Sequence, residues 1–235
     1  MPKAWPLSLF TLLFLSTHLS SQTVEDFGVW GTVSYGSDLT DDIDFSIDQE
    51  FRMEQNNSIL GVVFTSLGAD YRFNRYFQLG LNYRFILNRQ DEGFYGHRHR
   101  VMLDLQGRKM LRQWTFAYRM RAQSEVRTRN YANEFGFAPT TDLRNTVKTV
   151  YRLNRQFEIY GSIDLRILYR DPRLPEYRGI DRLRYRVGTD ILLARDRSLG
   201  VFIQHQREVN IPNREIEFNL GLEFKFGSRM QLMQS

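Results

Sequence analysis

The feature that most constrains this chain is an alternation of apolar and polar residues that recurs along most of its length. Four of the six prolines, Pro139, Pro172, Pro175 and Pro212, lie between the alternating runs, and the other two lie near the N-terminus. Proline lacks the N–H that a strand ladder needs, so it is excluded from paired strands. Side chains two residues apart share one face of a β-strand, so this spacing predicts an all-β chain.

The N-terminal stretch is typical of a secretory signal. Lys3 is followed by an apolar core from Leu7 to Leu15 and then by small residues. This run is too short for a membrane-spanning helix and fits an export signal. We therefore divide the chain into a signal peptide, residues 1–21, and a mature domain, residues 22–235.

Composition narrows the class of the mature domain. The net charge of +5 comes from basic residues interspersed with acidic ones, so nucleic acid is not an expected partner. The chain has no cysteine, which excludes disulfides, thiolate metal sites and a lipoprotein anchor. No later segment has the ~18 apolar residues of a membrane helix. The domain is then either a soluble β-sandwich or a β-barrel in a membrane.

Three features favour the barrel, with apolar side chains towards lipid and polar ones towards a lumen. The polar strand faces carry full charges, the runs are longer than the ~5–6 residues of ordinary strands, and short connections alternate with long ones. We predict an antiparallel up-and-down transmembrane β-barrel of roughly ten to twelve strands in the outer membrane. The count stays open because single-chain bacterial barrels normally have an even number of strands, whereas eleven segments alternate here: 26–36, 42–54, 59–73, 77–88, 98–108, 113–127, 142–153, 157–169, 180–193, 198–209 and 213–226.

The polar faces predict a charged network in the lumen. Isolated buried charges are costly, so these side chains must pair or stay hydrated. The predicted network comprises Arg52, Arg72, Arg84, Asp104, Arg119, Arg121, Asp164, Arg166, Arg182, Arg184, Arg186, Asp190, Glu217 and Glu223.

Three functions are compatible with such a barrel. The first is a non-enzymatic structural or surface-binding role. The second is a narrow solute channel with anion preference, suggested by the same-face ladder Arg182, Arg184 and Arg186. The third is a lipid-modifying enzyme of the outer membrane.

The longest predicted loop favours contact with the cell surface. Arg129, Tyr131, Phe135 and Phe137 lie in it, and aromatic and arginine side chains in an outer loop can bind lipid or lipopolysaccharide. We interpret Trp30 and Trp114 as residues of the aromatic girdles at the membrane interfaces.

Catalytic and metal sites find little support in the sequence. His97 and His99 could form a metal pair on one strand face, but a single pair is a weak signal. Ser58, Ser66, Ser124 and Ser162 have no G-x-S-x-G neighbourhood. We therefore predict no catalytic residue, no metal and no cofactor.

Several short motifs, in order along the chain, resemble one known family. They are Glu25-Asp26-Phe27-Gly28-Val29-Trp30, Glu50-Phe51-Arg52, Asp70-Tyr71-Arg72-Phe73-Asn74, Tyr83-Arg84-Phe85 and His99-Arg100. The chain resembles the outer-membrane β-barrels grouped as domain of unknown function 2490, and the resemblance implies a barrel without an assigned activity. Phe224 and Phe226 also resemble the terminal aromatic signal read by the outer-membrane assembly machinery, which implies that machinery as a partner during insertion.

Overall fold

A computed structural model of the chain describes residues 24–90, 93–127, 139–211 and 214–227. In these ranges eleven strands form one closed barrel and follow one another around the wall in sequence order. Their bounds are β1 (Val24–Asp38), β2 (Ile43–Glu54), β3 (Ile59–Arg72), β4 (Phe77–Arg89), β5 (Tyr95–Leu111), β6 (Trp114–Arg127), β7 (Thr140–Arg152), β8 (Phe157–Arg170), β9 (Gly179–Ala194), β10 (Arg197–Glu208) and β11 (Glu215–Phe226). The described residues contain no helix long and apolar enough to cross a membrane.

The barrel closes through a parallel pair of strands. β1 and β11 are parallel, in a register that runs from Val24 opposite Glu215 to Tyr35 opposite Phe226, whereas every consecutive pair is antiparallel. An odd number of strands that reverse direction at each turn must leave the first and last strands parallel. The predicted all-β barrel of ten to twelve strands is confirmed, and the antiparallel description is wrong only at this closing seam.

The two ends of the barrel differ in their connections. At one end, the short-turn end, residues 39–42, 73–76, 112–113, 153–156 and 195–196 connect the strands. At the other, the long-loop end, the connections are 55–58, 90–94, 128–139, 171–178 and 209–214. Because the closing seam is parallel, β1 begins at the long-loop end while β11 finishes at the short-turn end.

Two of the short turns share the same asparagine chemistry. The Asn74 side-chain oxygen accepts hydrogen bonds from the backbone N–H groups of Tyr76 and Phe77 at 2.8 and 3.0 Å. The Asn154 oxygen accepts the equivalent pair at 2.8 and 2.9 Å. Asparagine side chains mimic a backbone turn in this way, so both hairpins turn sharply after the same residue type.

The outward face of the wall is apolar. Val187 is 69% exposed, Ile203 is 64% exposed and Leu81 is 59% exposed, which a water-soluble protein would avoid over so large an area. Exposed aromatic residues gather near the short-turn end: Tyr71, Phe73, Tyr76, Phe77, Trp114, Phe116 and Tyr118. An apolar band with an aromatic girdle is the outer surface of a barrel that sits in lipid.

Aromatic residues and glycines alternate along one inward row of directly paired residues. The row passes from Tyr160 to Gly188, Phe202, Gly221 and Trp30 on β8, β9, β10, β11 and β1. A Cβ on Gly221 would lie 1.9 Å from Cζ of Phe202, so the glycine provides the space in which that ring lies. Trp30 is only 5% exposed and meets Phe202 edge to face at 6.4 Å. The prediction that Trp30 belongs to a girdle is therefore wrong, because it packs inside the seam, whereas Trp114 does face outward.

Candidate functional site

The lumen wall is where the predicted charged residues lie. Asp104, Gln204 and Gln206 are at most 2% exposed, and they identify the inward face of their strands. The whole predicted network lies on inward positions of this kind: Arg52, Arg72, Arg84, Asp104, Arg119, Arg121, Asp164, Arg166, Arg182, Arg184, Arg186, Asp190, Glu217 and Glu223. A functional role for this network remains a prediction.

One inward row shows how charge is distributed around the wall. It begins with acidic residues on the early strands and continues with arginines on β6 to β9. In order around the barrel it reads Asp38, Asp44, Asp70, Gly80, Asp104, Arg121, Arg144, Arg166, Arg182 and Glu208. Four arginines directly opposite one another would repel if they had no counter-charges.

Each of these arginines binds a carboxylate. Arg121 donates to both oxygens of Asp104 at 2.6 Å. Arg182 Nη2 lies 2.6 Å from Glu208 Oε1, and Arg144 Nη2 lies 2.8 Å from Asp164 Oδ1. Arg166 pairs with Asp181, and Arg100, which lies outside this row, pairs with Glu125. Bidentate and charge-assisted bonds of this kind connect β5 to β6, β7 to β8, β8 to β9 and β9 to β10.

Sequence reasoning missed several members of this network. Arg100, Glu125, Arg144, Asp181 and Glu208 were not predicted, although each occupies an inward position on its strand. Strict counting in twos along a strand would have found Arg100 from Asp104 and Glu125 from Arg121. Asp181 falls out of that count because the register shifts between Arg166 and Ile167.

A series of cation–aromatic contacts lies on the inward face on both sides of the closing seam. The Arg52 guanidinium lies 3.8 Å from the Trp30 ring centre and 5.0 Å from the Phe64 ring centre. Arg84 lies on Phe64 at 3.8 Å, and Arg186 lies on Phe202 at 4.0 Å. Stacked guanidinium groups lose little by leaving water, because the ring face supplies partial negative charge.

Five inward cations bind only neutral groups. The side chain of Arg84 donates to Ser66 Oγ at 2.8 Å, Arg119 reaches Thr146 Oγ1 at 3.4 Å, and Arg186 donates to Gln204 Oε1 at 2.8 Å. Arg184 donates to Gln206 Oε1, and Lys148 Nζ lies 4.0 Å from the Tyr160 ring centre. Within the described part of the chain none of these five forms an ion pair, so the lumen contains cations that no carboxylate of the wall neutralises.

The remaining predicted lumen residues have partners near the two ends. Asp190 and Glu223 share Lys225, at 3.4 and 2.8 Å. Glu217 accepts a hydrogen bond from Gln206 at 2.7 Å. Arg72 lies 2.9 Å from Asp44.

The long-loop end has a depression beside the connection 171–178. Its lining includes Tyr169, Arg170, Pro172, Pro175 and Arg178, and both arginines are exposed. Exposed cations next to an outward tyrosine at the rim of a barrel can bind a lipid headgroup.

An ion pair holds that connection in place. Asp171 Oδ2 lies 2.7 Å from Arg173 Nη2, and Asp171 Oδ1 accepts from the Arg173 backbone N–H at 2.9 Å. Burial alone would raise the pKa of Asp171, but these bonds outweigh it and hold the pKa of this carboxyl below its usual value. The predicted loop contacts Arg129, Tyr131, Phe135 and Phe137 lie outside the described residues.

His97, His99 and His205 face outward. Tyr83 Oη lies 2.7 Å from His99 Nδ1, and the His99 ring also contacts Phe85, with ring centres 5.4 Å apart. Ser66 lies on the inward face, where Arg84 binds it. Ser124 also faces outward, on β6, two residues before Val126, which is opposite His99. The His99 imidazole is nevertheless hydrogen-bonded to Tyr83 on β4.

Comparisons with known proteins agree with this architecture. A bacterial polysaccharide outer-membrane secretin matches with a TM-score of 0.54 and 17% identity, over 80% of this chain and 66% of that one, just under two thirds of its length. The β domain of the Bordetella autotransporter BrkA matches with a TM-score of 0.51 and 10% identity, over 80% of this chain and 84% of that one. At these identities the likeness shows the fold of outer-membrane β-barrels. A search of curated proteins finds no significant match.

The family assignment comes from the sequence itself. Residues 27–217 match a family described as "Protein of unknown function (DUF2490)". That range extends from β1 to β11, so it includes the strands on both sides of the closing seam. The resemblance drawn from the short motifs is confirmed: the chain belongs to the DUF2490 family.

Proposed function

We propose that the chain is an integral outer-membrane protein with a structural or surface-binding role, in which ion pairs in the lumen stabilise the wall and the long-loop end meets lipopolysaccharide. The observation that carries this proposal is the set of ion pairs that connect β5 to β6, β7 to β8, β8 to β9 and β9 to β10. Most of the charged side chains that face the lumen bind a partner within the protein. The exposed arginines that could contact a lipid headgroup lie at the long-loop end.

The surface-binding part rests on the exposed arginines at the long-loop end. Arg170 and Arg178 lie beside Tyr169 in a depression at the rim, and neither forms an ion pair with a described residue. Arginine binds phosphate in a bidentate fork, and lipopolysaccharide presents phosphates at the outer leaflet. Short turns on the periplasmic side and long loops outside are the arrangement of bacterial barrels, which would place this depression outside the cell.

Binding of lipopolysaccharide by the refolded barrel in detergent tests the proposal. We expect the double variant Arg170→Gln/Arg178→Gln to bind at least about tenfold more weakly, since hydrogen bonds to charged groups each contribute about 1.5–3 kcal/mol. Arg155→Gln/Arg195→Gln removes the same charge at the short-turn end, where both side chains are exposed, and should bind like the wild type. An equal loss of binding in both double variants would mean that lipopolysaccharide binding follows total charge rather than the depression at the long-loop end.

A narrow channel with anion preference is the second candidate. It is favoured by the five inward cations that bind only neutral groups, at positions from β4 to β9. Single-channel recording in planar bilayers separates the two proposals. Discrete conductance steps whose reversal potential follows the chloride gradient would favour the channel, while silence at high protein load would favour the structural and surface-binding role.

A further inference from the structure

Four of the unneutralised cations lie together on the wall formed by β6 to β9. Two adjacent inward rows define this area. One pairs Ala117 with Lys148, Ser162 and Arg186, and the other pairs Arg119 with Thr146, Asp164 and Arg184. We call Arg119, Lys148, Arg184 and Arg186 the cation patch. They lie in two adjacent inward rows that extend across β6 to β9.

The one carboxylate in these two rows between β6 and β9 already accepts hydrogen bonds. Asp164 accepts hydrogen bonds from Arg144 at 2.8 Å and from Thr146 at 2.7 Å. The cation patch is left with a threonine hydroxyl, two glutamine oxygens and two ring faces. Arg119 Nε is also buried without a hydrogen-bond partner. A buried donor without an acceptor costs about 1–3 kcal/mol, so a bound acceptor would remove a real penalty.

The side chains beside Lys148 in its row are short. Ala117 and Ser162 flank Lys148 in its row, and both have short side chains, whereas the rows on either side carry arginines and Tyr160. The cations of the patch are half-buried, so water reaches them from the lumen. The Ser162 side chain adds a hydroxyl group in the same row.

We infer that the cation patch binds a small multivalent oxyanion, of which inorganic phosphate is the representative. Guanidinium groups bind tetrahedral oxyanions through paired N–H donors, and a lysine ammonium adds a point charge. Two or more oxygens on one ligand can satisfy groups from β6, β7 and β9 together. This inference does not depend on conduction or on the surface-binding role, because a lumen that passes no current can still hold an anion.

Calorimetric titration of the refolded barrel in detergent with sodium phosphate, at constant ionic strength set with sodium chloride, tests the inference. We expect saturable binding with one phosphate per barrel, and a rise in the urea midpoint of unfolding with phosphate concentration as ligand linkage requires. Lys148→Gln and Arg186→Gln should each weaken binding by about tenfold, the loss of one charge-assisted hydrogen bond.

The matched control is Arg152→Gln. Arg152 lies on the same strand as Lys148, faces inward, and already has Glu158 at 2.9 Å. This variant should bind phosphate with an affinity within about twofold of that of the wild type, because the charge of Arg152 is already paired with a carboxylate. Heat-dependent gel mobility confirms that each variant is folded. The titration of the wild type tests the site even if a variant fails to fold.

Absence of saturable phosphate binding by the wild type would overturn the inference. So would equal weakening in Lys148→Gln, Arg186→Gln and Arg152→Gln, because binding would then follow total charge rather than the patch. Phosphate binding without conductance steps would support the site and leave the channel candidate refuted.

Discussion

Adding a single methyl group at Gly221 should destabilise the barrel at its closing seam. The Cβ of Gly221→Ala would lie 1.9 Å from Cζ, 2.2 Å from Cε1 and 2.4 Å from Cε2 of Phe202. The ring would have to move by about 1.5 Å to restore van der Waals contact. Phe202 is 3% exposed and lies between Trp30 and Arg186, so that displacement disturbs both contacts. Overpacking of this kind costs about 1–3 kcal/mol.

Urea unfolding of the protein in lipid vesicles, followed by tryptophan fluorescence, measures the effect. Gly31→Ala is the control, because a Cβ on Gly31 meets nothing within 4 Å and alanine in a strand should be neutral or stabilising by up to about 1 kcal/mol. Phe202→Ala alone should cost about 3–5 kcal/mol. The double variant should be no worse than Phe202→Ala, which gives a coupling of at least about 1 kcal/mol. Additive effects, or a Gly221→Ala protein as stable as Gly31→Ala, would refute the reasoning.

Three further outcomes follow from the structure. Asp104→Asn should lower the free energy of unfolding by about 3 kcal/mol because it leaves a lumen arginine without its carboxylate, while the same change at the more exposed Asp190 should cost under about 1 kcal/mol; equal losses in urea unfolding would contradict this. In this cysteine-free chain, a membrane-impermeant maleimide should label Glu176→Cys on intact cells and Arg155→Cys only after permeabilisation, and the reverse pattern would invert the assigned orientation. Because the pKa of Asp171 is lowered in the folded state, its contribution to the order of residues 171–178 is complete above the ordinary carboxyl pKa of about 3.9 and is lost as pH falls through the lower folded value. Pepsin should therefore cut this loop in the wild type only in strong acid, and in Asp171→Asn at any pH where pepsin acts. Cleavage of both proteins at pH 4 would count against the ion pair.

The architecture could be predicted because its signal is local. The period-two alternation places apolar and charged side chains on opposite faces whatever the partners of a strand are, and proline positions locate the breaks. Arg52, Asp164 and Arg182 could therefore be placed on the polar face from sequence alone.

The closing seam and the ion pairs could not be predicted in the same way, because they depend on register between strands. Nothing within β1 or β11 specifies that they run parallel, which follows from the parity of the whole count. The partner of Arg166 was missed because a register shift places Asp181 beside it. Trp30 was assigned to the lipid face from residue type, but Gly221 and Phe202, almost two hundred residues further along the chain, form the inner surface that buries it.

The parallel seam constrains how the polypeptide can be inserted. Ten of the eleven pairings join neighbours in sequence and can form hairpin by hairpin, while the eleventh unites strands whose starting residues are Val24 and Glu215. With the orientation proposed above, β1 begins at the extracellular end of the barrel. Because β11 is the last strand to be synthesised, one edge of β1 has no pairing partner until the seam closes.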